Sequence, residues 1–148
     1  ILTRLVGSEM CIRDREYVED PVANLEDLKK LRSIVPVPIA VDELSSSMND
    51  LEAVIAENLC EYIVVKPSLI GGIDQTLKIS SFAAKDNIQT VISSTYDGPI
   101  ALTGWCAVAA NVAPETAHGL GTADFFINAQ MRELIPEAGK VYFNLGSD

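Results

Sequence analysis

Four short apolar runs in this chain each end on a polar residue, and they recur at nearly even intervals. They are Tyr17-Val18-Glu19, Ile39-Ala40-Val41-Asp42, Tyr62-Ile63-Val64-Val65-Lys66 and Thr90-Val91-Ile92-Ser93. The intervals between the terminal polar residues are 23, 24 and 27 residues. One strand, a loop, a helix and a return fill such an interval, so the pattern predicts consecutive βα units. In parallel α/β proteins the chemistry gathers at the C-terminal ends of the strands. Two carboxylates, an ammonium and a hydroxyl would then share one mouth.

Between these runs the helix signals fall where the pattern needs them. Asn24 can cap a helix over 25–34, in which Leu25, Leu28, Leu31 and Ile34 keep helical spacing. Val35-Pro36-Val37-Pro38 stops that helix and feeds the strand ending at Asp42. Ser45-Ser46-Ser47 opens a second helix with Leu51, Val54 and Ile55 on its apolar side, closing near Asn58. After Lys66, Pro67 and Gly71-Gly72 read as a sharp loop, followed by a helix over 74–85. No Gly-Lys-Ser/Thr follows that glycine pair, so a turn accounts for it better than a phosphate loop does. The Ala-rich stretch 100–112 reads as a buried helix, too short to cross a membrane, and 116–122 as a fifth, short strand.

Composition narrows the partners. Eleven Lys and Arg against 21 Asp and Glu give a net charge of −10, which repels nucleic acid and anionic membrane and suits acidic sites for a divalent cation. A hydrophobic content of 48% with mean hydropathy +0.20 predicts a packed core. Cys11, Cys60 and Cys106 form no ligand pattern, so they read as free thiols of a soluble cytoplasmic protein, and zinc is not indicated. Nothing in the pattern fixes an oligomeric state.

Residues 1–15 stand apart. Leu5-Val6-Gly7-Ser8-Glu9-Met10-Cys11-Ile12-Arg13-Asp14-Arg15 resembles the conceptual translation of a sequencing adapter, and the fifteen residues carry +1 where the remainder carries −11. They are set aside as non-native, leaving 16–148 as one partial barrel domain whose natural sequence would begin near Glu16, inside a longer gene.

The strand ends Tyr17-Val18-Glu19-Asp20-Pro21, Ile39-Ala40-Val41-Asp42-Glu43, Val64-Val65-Lys66-Pro67-Ser68-Leu69-Ile70-Gly71-Gly72 and Ile92-Ser93-Ser94-Thr95 resemble barrel strands four to seven of the enolase superfamily. His118-Gly119-Leu120-Gly121-Thr122 resembles the eighth. The likeness is greatest to the o-succinylbenzoate synthases of menaquinone and phylloquinone biosynthesis, from residue 16 to the C-terminus. It implies the later part of an eight-stranded βα barrel of the TIM type, incomplete because such barrels need about 250 residues.

The resemblance also implies roles. Glu19 and Asp42 would be magnesium ligands, a third acid and a strand-two lysine base lying upstream of residue 16. Lys66 would stand as a cation beside the substrate ring and the developing enediolate, the catalytic residue of this segment. Ser93 and Ser94 would hold the substrate's succinyl carboxylate through hydroxyl and backbone N–H groups, with Gly119 allowing close approach. Asp20 and Glu43, one position beyond the expected ligands, would turn away from the ion and support the loops. His118, the single histidine, reads as structural.

The parent would then be a lyase forming o-succinylbenzoate from a 2-succinyl-6-hydroxy-cyclohexadiene-1-carboxylate. An N-acylamino acid racemase or a dipeptide epimerase is the enzymatic alternative. Dipeptide epimerases place an Asp-x-Asp at the end of strand eight, where this chain has Gly119-Leu120-Gly121. The remaining reading is an inactive fragment that lacks the base and one ligand.

Overall fold

A computed structural model describes residues 16–45, 47–125 and 134–142. The adapter-like segment lies outside them. The fold is α/β, and its residues form two compact units that part between Tyr62 and Ile63.

In the first unit, β1 (Val18–Glu19) and β2 (Ile39–Val41) run parallel, with Val18 opposite Ile39 and Glu19 opposite Ala40. Between them lies α1 (Leu25–Arg32). Asn24 caps it, its side chain accepting from the Asp27 N–H at 2.9 Å and donating back to the Asp27 carboxylate at 3.0 Å. Glu26 and Asp27 in the first turn and Lys29, Lys30 and Arg32 in the last complement the helix dipole. Leu28 is its wholly buried residue.

The helix stops two residues short of Ile34, which is 71% exposed. Ser33 Oγ donates to the Lys30 carbonyl and the Ile34 N–H to that of Leu31, a tightening that ends the helix before Pro36 could break it. Arg32 pairs with Glu61, whose other oxygen accepts the Ile39 N–H at 2.9 Å, so the end of α1 is fixed to the start of β2. A 3-10 turn (Glu43–Ser45) follows β2, then α2 (Met48–Ala56) capped by Ser47. Leu51, Val54 and Ile55 are buried as their spacing predicts, and Asn58 at φ 53 ends the turn. Burial and the Glu61 charge beside it push the Cys60 thiol up to about 12, leaving it an inert core residue.

The second unit takes in β3 (Tyr62–Val65) from Ile63 onward, and β3 neighbours β4 (Gln89–Ile92) in the sheet. The loop expected after Lys66 contains a single helical turn, α3 (Pro67–Ile70), with Pro67 at its first position and Gly71 closing it at φ 104. One turn carries too little periodicity to read from the sequence. Helix α4 (Ile73–Ala83) runs on into a 3-10 turn (Ala84–Asp86). It buries Thr76 and Ser80 by letting each hydroxyl donate to the carbonyl four residues back, at 2.8 and 2.9 Å. Helix α5 (Pro99–Val112) buries Leu102, Trp105, Cys106, Val108 and Ala109, and no helix among the described residues is long and apolar enough to cross a membrane.

The fifth strand expected over 116–122 contracts to one parallel bridge between Ser93 and Gly119. Gly119 donates to the Ile92 carbonyl and accepts from the Ser94 N–H, both at 2.9 Å. The chain then folds back at once, Thr122 N–H to the Leu120 carbonyl, and leaves the ladder.

Candidate active site

The expected site residues lie at the C-terminal ends of these strands, in two groups. In the first unit Glu19 ends β1 and Asp42 follows β2 directly. Parallel pairing puts both at the same end of the ladder. Glu19 is level with Ala40, and Asp42 lies two residues further on, immediately past the last residue of β2. Glu19 is exposed and Asp42 half-buried.

Asp20 turns the other way. Its Oδ1 accepts the Asp42 N–H at 3.1 Å and its Oδ2 the Glu43 N–H at 2.8 Å, the loop-supporting part anticipated for it. Burial raises its carboxyl above the ordinary carboxylate range, and the Glu43 side chain adds to this while the two N–H groups pull against it.

In the second unit Lys66 follows β3, half-buried, and its carbonyl accepts the Leu69 and Ile70 N–H groups at 2.9 and 3.3 Å. Ser93 follows β4 and donates its N–H to the Val65 carbonyl at 2.9 Å. A Cβ on Gly119 would lie 2.7 Å from Ser93 Oγ, so the serine hydroxyl takes its place only because residue 119 is glycine.

Ser94 is engaged within its own loop. Its Oγ accepts the Tyr96 and Asp97 N–H groups at 3.1 and 3.4 Å and shares a 2.8 Å hydrogen bond with Thr122 Oγ1. One donor and two acceptors are all a hydroxyl has, and its N–H is held by Gly119. Ser94 shapes the loop, and Ser93 is the hydroxyl of the pair set against the glycine.

Asp97, which the sequence pattern did not single out, ties the same loop to α3. It accepts from Ser68 Oγ, from the Thr95 N–H at 3.0 Å and from Thr95 Oγ1 at 3.3 Å. Burial works to raise its carboxyl, but the Ser68 and Thr95 donors outweigh burial and hold it below the ordinary range. A serine after Lys-Pro and an aspartate 29 residues on carry no joint signature in the sequence.

His118 is a structural brace. Its Nδ1 accepts the Ile92 N–H and its Nε2 faces the Ala113 carbonyl, both at 3.0 Å, which requires the neutral ring protonated at Nε2. Burial lowers its pKa from 6.5, against the raising influence of the Ala113 and Ala109 carbonyls. The unfolded chain therefore binds the proton more readily than the folded one. Stability is complete above about pH 6.5 and falls as pH drops through that value towards the lower folded pKa. Urea midpoints between pH 8 and pH 5 should fall less steeply in His118→Asn, whose amide oxygen can still accept from Ile92. His118→Ala should lose about 1–2 kcal/mol at pH 8, a deficit that narrows towards pH 5 as the unaltered protein loses the contribution of the neutral ring. Equal slopes in unaltered protein and His118→Asn would refute the brace.

Strands followed by helices in chain order, with carboxylates and a lysine at their C-terminal ends, define an α/β domain of the parallel class. The family described as enolase C-terminal domain-like matches residues 8–141, and the chain belongs to it. The match reaches back into the adapter-like segment. The o-succinylbenzoate synthase of Mycolicibacterium smegmatis is 35% identical over 126 residues, 84% of this chain and 38% of that protein. The Mycobacterium leprae o-succinylbenzoate synthase is 35% identical over 125 residues, covering 84% and 36%. The chain thus spans less than two fifths of these relatives. Among solved structures, a dipeptide epimerase from Enterococcus faecalis V583 superposes with TM-score 0.74 at 26% identity, over 86% of this chain and 38% of its own. A mandelate racemase/muconate lactonizing-type structure from Roseovarius nubinhibens ISM, complexed with magnesium, superposes with TM-score 0.60 at 29% identity, over 64% and 25%.

Proposed function

We propose that the chain is the C-terminal barrel segment of a magnesium-dependent carbon–oxygen lyase, one that dehydrates a 2-succinyl-6-hydroxy-cyclohexadiene-1-carboxylate to o-succinylbenzoate. The o-succinylbenzoate synthases among its relatives support the reaction. The feature that supports the reading is that Glu19 and Asp42 fall at the same end of the parallel β1–β2 pair, followed in chain order by Lys66 directly after β3.

Two carboxylates are hard oxygen donors, and magnesium is commonly bound through one or two of them, with water and substrate completing its shell. Among the described residues no group of three or more His, Cys, Asp or Glu side chains comes together to hold a metal, and Glu19 and Asp42 are the two donors this reading supplies. When bound, the ion supplies positive charge to the substrate carboxylate and makes the neighbouring proton removable. The rest falls to side chains. A base outside this segment takes the proton, and the ring hydroxyl leaves with a proton as water. Lys66 holds its ammonium near the carboxylate as negative charge develops. Ser93 donates its hydroxyl to the succinyl carboxylate above Gly119.

The alternative is an N-acylamino acid racemase or dipeptide epimerase, favoured by the likeness to the Enterococcus faecalis epimerase. There Lys66 would exchange protons instead of only stabilising charge. Gly119-Leu120-Gly121 offers no carboxylate for a dipeptide's ammonium, which weighs against the epimerase. Incubating the full-length protein with the cyclohexadiene carboxylate and magnesium should yield o-succinylbenzoate. Deuterium uptake into an N-acylamino acid, with no dehydration, would support the racemase instead. The 148-residue chain alone should be inactive, and turnover by it would overturn the assignment of the base to the missing part.

A further inference from the structure

We infer that Asp20 is the positioning residue for Asp42, a part that rests on the reading of Asp42 as a magnesium ligand. The two N–H groups that Asp20 accepts, those of Asp42 and Glu43, flank the Asp42 α-carbon. Holding both on one carboxylate fixes the backbone on either side of that carbon, and with it the direction of the Asp42 side chain. Asp42 is the first residue past β2, where the ladder no longer orients the chain. Its carbonyl is held as well, by the Ser45 N–H and Ser45 Oγ, both at 3.1 Å. Ser45 acts from within the same turn. Asp20 acts from the neighbouring strand, 22 residues away, and is joined directly to Glu19.

The backbone of Asp20 is itself unusual. It sits at φ 35, in the left-handed region that L residues avoid and that Asp and Asn tolerate better than most. Its N–H nevertheless stays on the ladder, donating to the Ala40 carbonyl at 3.0 Å. The strand therefore turns sharply after this bond, and the turn swings the Asp20 carboxylate across to the end of β2. Such a local cost persists where surrounding bonds hold it. A carboxylate meets the requirement because both of its oxygens accept; an amide would present an NH2 to one of the two N–H groups.

Groups that orient a metal ligand change metal affinity by roughly 10–100-fold when removed. The test is magnesium titration calorimetry on the full-length protein, alongside thermal unfolding without metal and turnover at rising magnesium. Asp20→Gly relieves the positive φ and removes both acceptors; it should weaken magnesium by about 10–100-fold. Asp20→Asn keeps one acceptor and should fall in between. In both, turnover should recover towards the unaltered value at saturating magnesium, which a merely structural loss would not allow. Asp42→Asn serves as reference. Unchanged affinity in Asp20→Gly, with weakened affinity in Asp42→Asn, would overturn the positioning role alone. Unchanged affinity in both would overturn the metal site with it. Should Asp20→Gly fail to fold, unaltered affinity in Asp20→Asn would refute the proposal.

Discussion

Lys66→Ala in the full-length protein is expected to lower dehydration by about a thousandfold or more, close to 4 kcal/mol of transition-state stabilisation, while magnesium affinity stays within about twofold. The asymmetry follows from where the lysine sits. Pro67 restricts the residue before it to extended backbone, and Lys66 has φ −104 and ψ 94. Its carbonyl is tied into the first turn of α3, and Pro67 is buried. Strand and helix therefore hold the backbone on both sides. Truncation removes a cation and leaves the scaffold in place. Steady-state kinetics paired with calorimetry would check this; a variant with unimpaired turnover would sink the role given to Lys66. Lys66→Arg keeps the charge but changes its reach, and should recover part of the loss.

The parts of this fold that were legible in the sequence share a property: one short stretch of chain determines them. The strand ends at Glu19, Asp42 and Lys66 stand out because a buried parallel strand is uniformly apolar and its first polar residue marks the exit. Asn24 and the run Ser45-Ser46-Ser47 stand out because an N-cap bonds within three residues, and Ser47 is the serine of that run that caps. The misses have the opposite character. Ile34 continues the helical spacing of Leu28 and Leu31, yet Ser33 bonds back and the helix ends first. Residues 116–122 look like a strand, but their backbone pairing with the sheet is confined to Gly119. The bond between Ser94 and Thr122, 28 residues on, has no local signal either. The grip of Asp20 on the β2 end spans a whole βα unit, and Asp97 reaches Ser68 across another. Alternation can say that Asp20 points away from its neighbours; it cannot say what it meets.

Asp42→Asn isolates the charge of the proposed ligand. The amide is nearly the same size, and the backbone N–H that Asp20 holds is untouched, so the clamp on the end of β2 survives. A neutral amide gives a divalent cation much less than a carboxylate does. Magnesium affinity should therefore fall by roughly a hundredfold or more, at or beyond the top of the range for an orienting group. The same loss is readable without turnover. Magnesium at a hundred times the unaltered protein's Kd should stabilise that protein by about 2.7 kcal/mol, and the variant by only about 0.4 kcal/mol. Without metal the order should not follow. The two N–H groups that Asp20 holds at this strand end belong to the backbone and are the same in the variant. The variant's unfolding midpoint in chelator should match or exceed that of the unaltered protein, as it does where a residue is kept for binding at some cost in stability. A midpoint lower by several degrees in chelator, with the magnesium shift intact, would make Asp42 a structural acid and remove the metal site from this end of the barrel.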